Sequence, residues 1–127
     1  MTHTYGILVA RILMAIIFIM AGLGKTADVA GFAGYMASGG IPAFLAWPVI
    51  LFEILGGLAI LIGYQTRIVA LALAAFSVLS GVMFHFVPAD QMQMTMLFKN
   101  LAMAGGYIAL ALYGAGSLSV DAKLAKG

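Results

Sequence analysis

Apolar residues run through this chain in four blocks separated by short polar punctuation. Each block is long enough to cross a bilayer, which takes roughly 20 apolar residues in a helix. The runs predict helices over residues 5–24, 44–63, 67–87 and 96–115. Connections of a few residues, such as Gly63-Tyr64-Gln65-Thr66, make consecutive helices antiparallel neighbours. The expected fold is therefore all-α, a transmembrane four-helix up-down bundle forming one domain over residues 1–127. The longest connection, Thr26 to Pro42, carries a pattern of its own. Asp28 suits an N-cap, Val29, Phe32, Ala33 and Met36 share one face, and Gly39-Gly40 followed by Pro42 stops the run. This predicts a short helix lying at the membrane interface, with an irregular loop as the alternative.

Composition agrees with that reading. Of 127 residues, 65% are hydrophobic and 8% charged, and mean hydropathy is +1.15, whereas a soluble domain carries about 25% charged residues. The lipid bilayer is thus the first partner, and four crossings leave no room for a soluble catalytic domain. A net charge of +2 from a few scattered groups cannot form a nucleic-acid surface. No cysteine is present, so thiol exchange, an iron–sulfur cluster and CxxCH haem attachment are excluded, and no covalently bound cofactor is expected. The first segment lacks a small-x-small cleavage site and reads as a retained helix. Arg67, Lys123 and Lys126 fall on one side of the predicted bundle and Lys25 and Lys99 on the other, which favours cytoplasmic N- and C-termini. Tyr5, Trp47, Tyr64 and Tyr113 fall near helix ends, as interfacial anchors do.

Charge inside such segments is costly, about 2.5–3.5 kcal/mol at a helix centre on insertion scales, and it marks a site or a pairing. Arg11, Lys25, Glu53 and Lys99 are the groups concerned. Glu53 leads, as the one charged side chain between Asp28 and Arg67. Arg11, Ala15, Phe18, Gly22 and Lys25 share a face of the first helix, and Gly56-Gly57 beside Glu53 admits a close neighbour. At about 1.5 Å per residue, Glu53 lies roughly 14 Å, Arg11 roughly 20 Å and Lys99 about 5 Å below the outer helix ends. Two sites are expected. One is a buried ion pair of Arg11 with Glu53, which also makes Glu53 a candidate proton relay. The other is a cationic outer mouth of Lys25, His85, Lys99 and Asn100 with apolar walls from Phe84, Phe98 and Met103.

Plainer roles compete at each position. The ion pair can be a structural lock, Lys99 can snorkel to the interface, His85 can be a solvated helix-end histidine, and Ser77 and Ser80 can bond back to their own helix. Thioethers and imidazole suit Cu(I), so His85, Met92, Met94 and Met96 form a weak copper candidate against methionine as adaptable filler. No other metal site is expected.

Four segments, LVARILMAIIFIMAGLGK, FEILGGLAILIGYQTR, FKNLAMAGGYIALALYG and GAGSLSVD, occur here in an order that resembles the DoxX family of small four-helix membrane proteins. The resemblance covers nearly the whole chain and is strongest to the inner-membrane, YqjF-like branch. It implies a bacterial inner-membrane protein linked to respiratory or redox chemistry, with relatives that serve as small membrane subunits of quinone-linked oxidoreductases. By position, Arg11, Lys25, Glu53, Arg67, Lys99, Asn100 and Asp121 fall at the family's recurring polar positions. Ala115 stands where the family commonly has proline.

Three functions follow as expectations. The first is a redox-associated subunit that offers a quinone or quinol head group Lys99, Asn100 or His85, takes electrons from a redox protein partner, and is not itself the electron-carrying catalyst. Glu53 in a low dielectric could couple proton movement to it. The second is a proton-coupled small transporter, disfavoured because Glu53 lies on the second helix opposite an arginine. The third is a membrane anchor or assembly factor whose charges only fix the fold. The expected protein partner is a redox protein or, alternatively, a further copy of this chain.

Overall fold

The computed structural model describes residues 2–126. In chain order its helices are α1 (Thr2–Lys25), α2 (Val29–Ser38), α3 (Ala46–Ile62), α4 (Thr66–His85), α5 (Gln91–Tyr113) and α6 (Val120–Lys126), with a 3-10 turn at Ala43–Leu45 leading into α3. Among the described residues, α1, α3 with its leading turn, α4 and α5 are long and apolar enough to cross a membrane. Their outer faces are what lipid requires: Leu13, Leu79 and Leu112 are more than 60% exposed while Arg11 and Glu53 are 1% and 3% exposed. That inversion of the water-soluble pattern suits hydrocarbon as the solvent.

The bundle is built from two closely packed antiparallel pairs, α1 with α3 and α4 with α5, and the pairs meet each other along a looser seam. Small residues explain the tightness. Gly22 lies against the Ile50 carbonyl and Ile54 amide, Gly57 lies against the Ala15 carbonyl and Ile19, and Gly81 faces Leu97 and Asn100. Without side chains there, the backbones approach closely and gain dispersion contacts that lipid cannot match. Ala15, Phe18, Ile60, Leu73, Ala104 and Tyr107 fill the centre. The Tyr107 hydroxyl donates to the Met14 carbonyl at 2.6 Å, satisfying a buried polar atom while tying α5 to α1.

The short second helix forms as its sequence suggests. The Asp28 carboxylate accepts from the Gly31 amide at 2.9 Å, and Gly39 caps the far end. Its inward face, with Met36 3% exposed, covers one end of the bundle. Interface placement thus becomes a roof.

Several boundaries differ from the hydropathy reading by two residues or more. α5 starts at Gln91, five residues before 96, because Asp90 accepts from the Met92 and Gln93 amides and caps the polar turn that hydropathy discounts. α4 ends at His85, two residues before 87.

At the end that carries the termini, side chains satisfy the carbonyls that helices leave unpaired. Gly63 closes α3 in the left-handed region, at φ 74°. Arg67 donates to the Ala111 and Leu112 carbonyls at 2.7 and 2.8 Å, at the end of α5. Asp121 accepts from the Gln65 and Thr66 amides at 2.7 and 2.9 Å, capping α4 from α6.

Candidate functional site

A cavity of about 420 Å³ lies under α2, bounded by α1, α3, α4 and α5. Its walls are mostly apolar, with Phe18, Phe76, Met83 and Met103 among them, and its polar groups are Lys25, Glu53, Ser77, Ser80, His85, Lys99 and Asn100. Lys25, Glu53, His85, Lys99, Asn100, Phe84 and Met103, which the sequence divides between two sites, line this one space.

The predicted ion pair is corrected. Glu53 is paired with Lys25, whose Nζ donates to Oε2 at 3.0 Å. Arg11 instead donates to four carbonyls near the termini: Nε to Ile60 at 3.1 Å, Nη1 to Ala115 at 2.6 Å and Leu118 at 2.9 Å, and Nη2 to Leu61 at 2.9 Å. The cause is the direction of helical side chains, which lean toward their own N-terminus. Arg11 therefore extends away from Glu53, toward the loop ends. Lys25 leans back along α1, where its Nζ also reaches the Ala21 carbonyl at 3.4 Å. The register set by Gly22 and Gly57 puts Glu53 within its reach.

Phe98 is a second correction. The inward stripe of α5 is Leu97, Asn100, Ala104 and Tyr107, all buried, so Phe98 turns outward and is 59% exposed. The early start of α5 also moves Lys99 about 12 Å into its helix, and the described residues give this half-buried ammonium no carboxylate partner. Asn100 Nδ2 donates to the Ser77 carbonyl at 3.0 Å and lies 3.3 Å from the Ser80 hydroxyl. Oδ1, an acceptor, is what Asn100 has left to offer. Ser77 itself donates back to Leu73 at 2.7 Å, as a helical serine often does.

His85 Nδ1 sits 2.7 Å from Gln93 Oε1, across the turn between α4 and α5. With Nδ1 donating there, Nε2 is the free acceptor. The copper candidate fails on geometry. The stretch holding Met92, Met94 and Met96 is helical, so Met94 points about 200° round from Met92 and the three thioethers cannot converge. Met92 is 70% exposed. Among the described residues no three His, Cys, Asp or Glu side chains cluster as a metal site.

Two aromatic groups escaped the sequence reading. Tyr35 of α2 stacks on Phe84 with centroids 4.9 Å apart, closing the roof. Phe18 and Phe52 both pack on Phe76, at 5.9 and 5.3 Å, and Phe18 also meets Tyr107 at 5.6 Å. Together they floor the cavity. The roof's signal was the aromatic content of VAGFAGYMAS, which periodicity alone assigned to a membrane surface.

The sequence model of the DoxX family matches residues 6–86, more than half the chain. The chain belongs to the DoxX family. This DoxX chain is 47% identical over 121 residues to the Escherichia coli (strain K12) "Inner membrane protein YqjF", covering 95% of this chain and 93% of that one. It is 30% identical over 122 residues to "Inner membrane protein YphA" of the same organism, covering 91% and 87%. A match of 35% over 69 residues joins it to the Bacillus subtilis (strain 168) "Putative oxidoreductase CatD", covering 54% and 52%. No solved structure matches this DoxX protein.

Proposed function

We propose that this DoxX protein is a redox-associated subunit of the bacterial inner membrane that binds a quinone or quinol head group in the cavity under α2. The observation that carries the reading is a space of about 420 Å³ between the four long helices, apolar in its walls, into which Lys99, Asn100 and His85 bring few and chemically distinct polar groups. This is the composition of a small-molecule site. It fits a flat ring with oxygens at its edge: Lys99 donates to a ring carbonyl, Asn100 Oδ1 accepts from a ring hydroxyl, and Phe76, Phe84 and Met103 flank the ring.

A bound quinone takes up two electrons and two protons to become a quinol. A chain without cysteine holds no thiolate-ligated cluster, and in this reading the electrons come from a partner's cofactor. Protons have local carriers. His85 Nε2 can accept or return one, and Glu53, joined to Lys25, offers a second carboxylate oxygen on the cavity side. The names of YqjF and YphA support the inner membrane, and that of CatD supports redox chemistry. The closed aromatic floor favours a binding site over a transport path. Arg67, Lys123 and Lys126 at the end with both termini support a cytoplasmic orientation of that end, so a phosphatase fused to the C-terminus should be inactive, and an active fusion would reverse the orientation.

The test is retention. Protein purified in mild detergent should carry more quinone than an unrelated four-helix membrane protein, and Lys99→Met with His85→Phe should lose it while thermal unfolding stays cooperative. Equal quinone content in the purified protein and the control rejects the reading.

A further inference from the structure

The cavity is closed above and below but not on its lipid side. Above, Tyr35 is stacked on Phe84, the Phe84 ring fills the space beside Gly39, and Met36 is 3% exposed, so arrival from water must displace a packed helix. Below, Phe52 and Phe18 pack on Phe76. The side is different. The seam between the α1/α3 and α4/α5 pairs is the loosely packed one, and the cavity lies across it, with Val49 and Glu53 on one wall and Leu79, Ser80 and Met83 on the other. Leu79 and Met83 line the cavity, yet they are 62% and 44% exposed on the lipid-facing surface. Side chains can do both where the cavity reaches that surface. The opposite rim is Ile41, Leu45 and Val49, all apolar and half-buried.

We infer that the ligand is an amphiphile dissolved in the bilayer, whose ring occupies the cavity and whose aliphatic tail leaves sideways between α3 and α4, past Val49, Leu79 and Met83. The inference rests on the ligand-site reading above and adds the ligand's class and route. An apolar rim cannot hold a polar substituent without leaving it unpaired, whereas an alkyl chain loses nothing there. Because the tail exchanges lipid for a lipid-facing groove, it adds little affinity of its own. What the tail requires is an opening.

The test compares two probes in lipid nanodiscs, a dimethoxy-methyl-benzoquinone ring without a tail and the same ring carrying a decyl chain. Binding is corrected for partition into protein-free discs. Wild-type protein should bind both with similar affinity. Leu79→Trp with Met83→Trp fills the gap and should weaken the decyl probe at least about tenfold more than it weakens the tail-less ring, a difference of about 1.4 kcal/mol. Should the tryptophans disturb folding, the absence of native cysteine allows Val49→Cys with Leu79→Cys to be bridged by a bismaleimide, with the same split expected. Undiminished decyl binding in the closed protein, or a wild type that binds the bare ring and rejects the decyl probe, overturns the lateral route and keeps the site. A wild type that binds neither probe removes the ligand-site reading and this inference with it.

Discussion

Lys25 Nζ donates to Glu53 Oε2 at 3.0 Å, joining the last turn of α1 to the middle of α3 at the edge of the cavity. The Glu53 side chain is 3% exposed and that of Lys25 27%, so the pair stands between a surface bridge and a fully buried one. Lys25 also lies over the Phe32 ring at 5.2 Å, linking the pair to the roof.

Removing Lys25 strands a buried carboxylate. Lys25→Met should cost about 2 kcal/mol of stability in detergent, and Lys25→Met with Glu53→Gln should cost less than the sum of the single changes. Arg11→Met with Glu53→Gln should instead add within about 0.5 kcal/mol, as for groups that do not touch. Thermal denaturation of the two double-mutant cycles separates these outcomes, and strong coupling in the second would restore the arginine–glutamate pair.

Arg11 holds four carbonyls from two segments, which one ammonium cannot span. Arg11→Lys should therefore lose at least about 2 kcal/mol and free the segment from Ala115 to Leu118. Trypsin should then cut at Lys123 faster than in the wild type. An unchanged cleavage rate would mean that the segment is held by other contacts.

A methyl group on Gly57 would meet the Ile19 amide nitrogen at 3.0 Å and the Ala15 carbonyl at 3.1 Å, both backbone atoms. Gly57→Ala should cost about 1–3 kcal/mol by prising α1 from α3. Gly105 has open space around it, so Gly105→Ala should stabilise α5 by about 0.5–1 kcal/mol. Unfolding midpoints of the pair give opposite signs if the packing is as described.

Partial burial alone would raise the Asp121 carboxyl, but the Thr66 and Gln65 amides and the Arg11 charge outweigh it and hold it below the usual aspartate range. A depressed folded value gives stability that is present above the unfolded value of about 3.9 and lost as pH falls through the folded one. Hydrogen exchange at Gln65 and Thr66 should thus lose protection on the acid side. In Asp121→Ala these amides should be poorly protected already at neutral pH, without the added acid loss. Equal protection in the two proteins would show that α6 does not cap α4.

The solvent and the skeleton were already legible in the hydrophobic pattern. Runs of about 20 apolar residues admit helices crossing lipid and little else, Asp28 could cap nothing but the short helix after it, and the inward stripes follow from a period of 3.6. The polar cavity residues were also legible, because charge in hydrocarbon is rarely without a partner. Periodicity, however, gives the face of a helix and not its height against a neighbour. The contacts of Gly22 and Gly57 set that height, and with it Lys25 rather than Arg11 became the partner of Glu53. The backward lean of helical side chains, a general rule, could have favoured the same choice. Nothing local could reveal that Tyr35 closes on Phe84 or that the cavity reaches the seam between two helix pairs beside Leu79. Those depend on packing between segments far apart in the chain, where shape complementarity decides among arrangements that the hydrophobic pattern leaves equal.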